Sequence, residues 1–474
     1  MTEHKSLRFL FVIPNINFED RYNSKSKIKN IGFLPLGIAQ LTAMLEKYNH
    51  KVKILDLTIN DDNSMVNIYK EISEFKPDFI GLQILILSSY KIFRITDSIK
   101  KHFNIPIIVG GPYASIFPEK ILKEHKSVDV VVAGEGDYAL CEILDSYRDK
   151  KRLKKVKGIY YRDSNGKVIK TEKRALIENL DVLPFPALYL FDLEKYLPLP
   201  NQYKRLPVTN MVTSRGCPWG HCTYCFQSFH SFRQQSPKRV VSEIKYLIKE
   251  YGINDITFFD DILVYEKKWI LELCNQLEKE NIRIHWSCNC IANKVDEEIL
   301  AKMARAGCWN ILYGIESGNH ETLKKIKKGI TLDQIRKAVD LTKKAGIEVR
   351  TAFMLGFPEE TPEMTQNTIK FASELGADFT QFCIATPYPG TELYEKCRNS
   401  KRLDKDFRNY CDSKVVYLPK GYENKEQLEK KYKQAYMKCY FSAGYIFRSL
   451  KNIRNIEDIK RYYRGLKFLI SVSF

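Results

Sequence analysis

A chain of 474 residues with a formal net charge of +19 is too long for one hydrophobic core and predicts two or three domains. Its apolar and charged fractions, 44% and 28%, exclude a disordered or fibrous chain. No run reaches the roughly 18 apolar residues of a membrane span, and Met1-Thr2-Glu3-His4-Lys5 opens no secretory signal. The positive charge admits anionic partners, but Lys, Asn, Ile and Tyr are abundant throughout, so charge alone does not indicate nucleic-acid binding. Twelve cysteines without regular pairing fit a reducing cytoplasm better than a disulfide scaffold.

In chain order, residues 1–150 alternate apolar runs (9–14, 52–57, 78–85, 105–110, 129–133) with amphipathic stretches (36–47, 67–75, 92–101, 119–124, 138–147). That alternation predicts an open parallel α/β sheet of flavodoxin-like order, with ligands at the carboxyl ends of its strands. Turn residues stand at those ends: Pro14 and Asn15, then Gly110-Gly111-Pro112, then Gly134-Glu135-Gly136-Asp137. Glycine there lets backbone approach a ligand closely. Ser88 and Ser89 follow the third run. Residues 156–171 read as a hairpin about an Asn165-Gly166 turn. Proline pairs at 183–186 and 197–200 interrupt regular structure, so residues 151–207 are expected to be a linker.

A second βα series follows over residues 208–392. It opens with an apolar run (208–214) leading into Cys217-Pro218-Trp219-Gly220-His221-Cys222-Thr223-Tyr224-Cys225. Three close thiols without a fourth can hold three irons of a 4Fe–4S cluster and leave one open to substrate. Two other readings exist: a Cys₃His zinc site completed by His230, or three structural cysteines. Further runs (255–259, 283–288, 310–315, 349–355, 379–385) alternate with helical stretches (240–251, 266–280, 297–306, 331–345, 362–375). The pattern predicts a partial (βα)₆ barrel with chemistry at the carboxyl ends of its strands. There stand Asp260-Asp261, Glu316-Ser317-Gly318, Gly356-Phe357-Pro358-Glu359-Glu360-Thr361 and Pro387-Tyr388-Pro389-Gly390-Thr391. Carboxylates beside such a loop suit an ammonium group or ribose hydroxyls. Cys288 and Cys290, two apart in a strand, are expected to be core residues. Residues 393–474 read as helical, with 423–440 charged and 446–474 mixing basic and aromatic residues. They are expected either to cap the barrel from below or to lie at a lipid interface.

The glycine motifs of the first domain and the cysteine loop of the second, taken together, resemble the radical S-adenosylmethionine (SAM) superfamily, in the subgroup with an N-terminal cobalamin-binding domain. The likeness covers about residues 7–395. It implies that Cys217, Cys222 and Cys225 ligate a 4Fe–4S cluster whose open iron is chelated by SAM. It implies further that Tyr224 packs near adenine, that Asp260 or Asp261 meets the methionine ammonium, and that Glu316 contacts the ribose or methionine portion. Gly356 and Pro387 would shape the nucleoside pocket. Pro14, Asn15, Ser88, Gly110, Gly111, Glu135 and Gly136 would border cobalamin. The chain lacks the Asp-x-His-x-x-Gly motif whose histidine ligates cobalt in mutases. Its C-x4-C-x2-C spacing is one residue longer than the superfamily's usual C-x3-C-x2-C, an excess that Gly220 can absorb. The resemblance implies a radical enzyme, with methylation of an unactivated carbon as its leading outcome and radical cyclisation or rearrangement as the alternative. A non-catalytic cobalamin or metal sensor is the reading from another class. Expected partners are a small-molecule, lipid or peptide substrate and an electron donor such as flavodoxin or ferredoxin, with no nucleic acid and with room for peripheral membrane contact.

Overall fold

The computed structural model describes residues 6–15, 32–59, 65–226, 231–411, 413–453 and 456–473. The chain divides into two compact units, one of residues 1–17 and 34–196, the other of residues 18–33 and 197–474.

The first unit is built on seven strands: β1 (Arg8–Ile13), β2 (Lys51–Asp56), β3 (Phe79–Gln83), β4 (Ile107–Gly110), β5 (Val130–Val132), β6 (Ile159–Arg162) and β7 (Val168–Lys170). Their order is β2-β1-β3-β4-β5-β6-β7. β1 to β5 are parallel, as the apolar runs predict. Phe9, Leu10, Ile80, Ile107, Val109, Val130 and Val131 are buried, because strands covered on both faces need apolar residues at every position. The hairpin expected within the linker instead extends this sheet. β6 pairs antiparallel with β5, and β7 with β6, which covers the backbone groups that β5 would leave at an open edge.

The second unit has a six-stranded, wholly parallel sheet: β8 (Val208–Met211), β11 (Asp255–Phe258), β12 (His285–Cys290), β13 (Cys308–Glu316), β14 (Glu348–Leu355) and β15 (Phe379–Ile384), in the order β15-β14-β13-β12-β11-β8. This is the predicted half-barrel. A two-residue ribbon, β9 (Ser214–Arg215) against β10 (Arg233–Gln234), closes the base of the cysteine loop. Helix starts follow local capping chemistry. Ser236, Asp296, Thr331, Thr361 and Thr391 each accept a backbone N–H of the first turn that follows. β12 begins two residues later than its apolar run, after a left-handed Asn281 (φ 54°), and so takes in both Cys288 and Cys290. Their sulphurs lie 3.7 Å apart and are buried with Cys308, as core residues.

The helix Lys425–Tyr440 lies along the edge strand β15 rather than below the barrel. The Tyr440 hydroxyl accepts from the Thr380 N–H at 2.9 Å and donates to the Thr380 carbonyl at 2.8 Å. Tyr436 does the same at Phe382, at 3.2 and 3.1 Å. Four residues of helix rise about 6 Å and two residues of strand about 6.6 Å, so the spacings match and the edge is satisfied. The last helix, Ile456–Ser473, does reach the amino ends of the strands. There the buried Arg461 meets Glu348 at 3.2 Å and the Tyr203 carbonyl at 3.3 Å.

Candidate functional site

The cysteine loop is pinned from two sides. The Thr223 N–H donates to the Ile326 carbonyl at 3.1 Å, and the Leu393 N–H to the Thr223 carbonyl at 2.8 Å. The extra residue of the C-x4-C segment is accommodated as expected: Gly220 is left-handed, φ 63°. Its neighbour Trp219 donates from Nε1 to the Lys327 carbonyl at 2.9 Å. Its ring lies where a side chain on Gly329 would stand, 2.1 Å from a Cβ built there. The loop therefore rests on residues 326–329, which follow the helix His320–Lys325.

Cys217 and Cys222 are half-buried and Cys225 is exposed as a residue. Protein packed around the Cys225 sulphur, then Asp261, Cys222 and Cys217, push its thiol up to about 12. Such a thiol becomes a ligand when a metal displaces its proton. Among the described residues, no three His, Cys, Asp or Glu side chains converge on a point that a single ion could occupy. A 4Fe–4S cluster takes one thiolate at each of three irons, so convergence is not needed and the donor set fits. His230, the fourth ligand of the zinc reading, lies outside the described residues.

The two adjacent carboxylates go opposite ways. Asp260 is buried and accepts from the Thr213 N–H at 3.0 Å, the Thr213 hydroxyl at 2.8 Å and the Ser214 hydroxyl. Burial raises its carboxyl to about 6, against the pull of those donors. It ties β11 to the strand that leads into the cysteine loop. Asp261 is exposed, and the Cys225 thiol feels its charge.

Glu316 closes β13 in the left-handed region, φ 71°, where the β13–β14 register shifts between Gly314 and Glu316. A non-glycine residue there carries strain, of the kind that gathers at functional sites. Its carboxylate meets Lys328 Nζ at 2.8 Å, both side chains being nearly buried. Lys328 also donates to the Tyr224 hydroxyl at 3.3 Å, and the Tyr224 ring packs edge-on to Phe357 at 5.9 Å. Burial lowers the Lys328 ammonium pKa, but Glu316 and the thiols of Cys222 and Cys225 outweigh it and hold the ammonium above its ordinary value. The structure thus gathers Cys222, Tyr224 and Glu316 around Lys328, which sequence reasoning missed, and reaches the Gly356 turn through the Tyr224–Phe357 contact. Within Lys327-Lys328-Gly329 it reads as one more surface lysine. Ser317 and Gly318 are turned away: the Ser317 hydroxyl lies 3.2 Å from that of Thr368 on the helix Pro362–Glu374.

Gly356 packs on Leu428, 2.4 Å from where its Cβ would stand. The turn is held by the buried Glu360, which accepts from Gly356 N–H at 2.6 Å and Phe357 N–H at 3.2 Å. Pro387 is buried, and Thr391 in the same motif caps the helix Glu392–Cys397. The Leu393 bond described above ties this segment to the cysteine loop.

In the first unit, Pro14 is buried and Asn15 half-buried at the end of β1, where the Asn15 carbonyl accepts from Lys91 Nζ at 3.2 Å. Gly110 ends β4. Gly111 is left-handed (φ 97°), with a Cβ there only 2.8 Å from Gln83 Cγ and 3.1 Å from the Ile84 carbonyl. Gly136 sits against Leu41. Two of the expected contacts are engaged within the protein. Ser88 is buried and bonds Leu85 in its own turn, and Glu135 accepts from the Ile177 N–H at 2.8 Å. That bond begins a strap, residues 177–196. The Ala187 N–H donates to the Ala39 carbonyl, and Tyr196 donates to Asp56 at 2.5 Å. Gly134, by contrast, faces open space, with nothing within 4 Å of its Cβ position. Its N–H donates to Ser115 at 3.0 Å, a residue between the expected ones. The unit's described histidines stand away from this edge. His50 precedes β2 and accepts from Leu7, His102 packs on Tyr69, and His125 stacks on Phe93 at 3.5 Å. All three come before a strand, toward its amino end. A corrin at the carboxyl ends would fit the open backbone there without a histidine to cobalt from among them.

Two family models match this chain: the Radical SAM superfamily over residues 211–372 and the B12 binding domain over residues 32–144. It is 34% identical over 437 residues to an uncharacterised methyltransferase of Pyrococcus horikoshii, covering 91% of this chain and 93% of that protein. It is 27% identical to an anaerobic magnesium-protoporphyrin IX monomethyl ester cyclase of Rubrivivax gelatinosus, covering 90% and 76%. Among solved structures, the cobalamin-dependent SAM radical enzyme OxsB, with aqua-cobalamin and SAM bound, shares the fold. Its TM-score is 0.73 at 20% identity, over 99% of this chain and 72% of that one.

Proposed function

Because this chain belongs to the radical SAM superfamily, in the group that joins the radical SAM domain to a B12-binding domain, we propose that it is a cobalamin-dependent C-methyltransferase. The observation that carries the reading is the three-thiol loop clamped beside Asp261, Glu316 and Tyr224. When bound, the cluster with SAM supplies hydrogen abstraction at carbon by a 5′-deoxyadenosyl radical, and cobalamin supplies the methyl group.

Cys217, Cys222 and Cys225 hold the three irons. Asp261, exposed and next to Cys225, takes the methionine ammonium, while Asp260 positions the loop from beneath. Lys328 orients Glu316 and Tyr224 toward the nucleoside, and the Gly356 turn and Pro387 wall the pocket. The backbone at Gly110, Gly111 and Gly134 borders the corrin. A flavodoxin- or ferredoxin-type donor provides the electron, and twelve cysteines without regular pairing suit a reducing cytoplasm. The cyclase relative supports a second reading, ring formation with the same parts.

Anaerobic reconstitution with iron, sulfide and cobalamin, followed by reductant, SAM and candidate substrate extracts, tests both. Substrate-dependent 5′-deoxyadenosine with S-adenosylhomocysteine is the expected result. 5′-Deoxyadenosine alone would transfer the assignment to a cyclase. SAM cleavage that survives Ala at all three cysteines would sink the cluster assignment.

A further inference from the structure

The last two helices expose an apolar surface that the radical chemistry does not use. On the helix Ile456–Ser473, Ile456, Ile459, Tyr463 and Leu466 are all exposed and recur at spacings of three, four and three, a single stripe. The opposite side of that helix is inside the fold, where Asp458 and Arg461 are buried. On the preceding helix, Ala443–Asn452, the adjacent Ile446 and Phe447 are exposed, Phe447 by 72%, as is Leu450 one turn on.

The two helices flank one cavity of about 330 Å³ against β15, to which Ile446, Leu450, Tyr462 and Leu466 all contribute. Three of those four, Ile446, Leu450 and Leu466, are solvent-exposed, so the cavity adjoins the apolar surface. Exposed apolar residues that recur on one helix face, with a cavity behind them, mark an interaction site rather than scattered exposure.

Charge selects the occupant. From Phe441 to Lys467 the chain has seven Lys and Arg against two acidic residues. Of these, Lys460 is paired with Glu457 at 2.8 Å, Arg461 is buried on Glu348 and Asp458 is buried, which leaves five further Lys and Arg. Lys460 and Lys467 are exposed beside the stripe. A second copy of this chain would bring like charge against like. An anionic bilayer meets both the cations and the apolar stripe.

We propose that the C-terminal helix pair is a membrane-docking element that seats on an anionic lipid surface, with the cavity receiving an acyl chain. No described helix is long and apolar enough to cross a membrane, so the contact is one of lying on the surface.

The test is vesicle flotation of the full-length reconstituted protein, with phosphatidylcholine alone or mixed equally with phosphatidylglycerol. Partition should favour the anionic vesicles by roughly tenfold or more, and should fall with added salt. A Phe447→Asp/Ile459→Asp variant should lose that partition while retaining 5′-deoxyadenosine formation in solution. If that variant does not fold, Lys460→Glu/Lys467→Glu on the exposed side serves instead and should shift binding in the same direction. Equal flotation of variant and parent, or no flotation at all, would overturn the proposal. A dimer in size-exclusion chromatography that Phe447→Asp converts to monomer would assign the face to a second copy. Flotation itself needs no SAM chemistry, so the docking proposal stands or falls apart from the reaction assigned above.

Discussion

Asp260 and Asp261 are adjacent and chemically identical, yet their surroundings give them separate work. Asp260 satisfies three donor groups of Thr213 and Ser214 from a buried position. Removing it leaves those donors unpaired, at about 1–3 kcal/mol for a buried group. Asp260→Ala should therefore lower the denaturation midpoint and reduce the iron content of the reconstituted protein. Asp261→Ala should leave the melting temperature close to the parent value and raise the KM for SAM by roughly tenfold, the effect of one exposed charge-assisted contact. Measuring melting and KM for both variants checks the division; a SAM defect confined to Asp260→Ala would reverse it. Glu360 is a different case, a carboxyl raised by burial from 4.5 to about 7. A raised acid is stabilising in its neutral form. Its contribution is full below pH 4.5 and is lost as pH rises through about 7, a cost of up to about 3 kcal/mol. Glu360→Gln keeps an acceptor for Gly356 and Phe357, so its stability at pH 8 should exceed the parent's and vary less between pH 5 and 8. Chemical denaturation at the two pH values reads this directly.

Local pattern predicts where the elements lie but not what they dock against. The hairpin at 156–171 was legible from alternation and an Asn-Gly turn, yet a hairpin carries no record of its neighbour, and it proved to extend the first sheet. Residues 425–440 were legible as a helix. Its place along β15 depends on Tyr436 and Tyr440, whose hydroxyls meet backbone groups 54 and 60 residues earlier in the chain. Tyr440→Phe should leave the Thr380 N–H and carbonyl buried without this partner and cost about 1–3 kcal/mol, seen as a lower denaturation midpoint with an unchanged slope. An unchanged midpoint would show that water replaces the hydroxyl.

At the scale of the molecule, two cofactor domains share one chain, and their functions should be separable by point substitution. Gly111 is left-handed and lacks room for a side chain. Gly111→Val should reduce bound cobalamin, measured by its visible absorbance, while leaving iron and sulfide content at the parent level. Loss of both together would mean that the units depend on each other for folding. The +19 charge, spread along the whole sequence, points to no partner; the proposed lipid contact rests on where the C-terminal helices place cations beside an exposed stripe.

By itself, the sequence determined the two βα series, their strand ends and the three-thiol loop. Burial on both faces demands continuous apolar runs, helix starts demand caps, and the expected cluster would draw its three thiols from one short loop. These are local demands, and local order records them. Only the tertiary structure decided that Asp260 is a strut and Asp261 is open, that Lys328 joins Glu316 to Tyr224, and that Ser88 and Glu135 are engaged within their own unit. Each depends on which groups from distant parts of the chain compete for one hydrogen bond or one buried charge. That competition is settled by packing, which no spacing along the chain encodes.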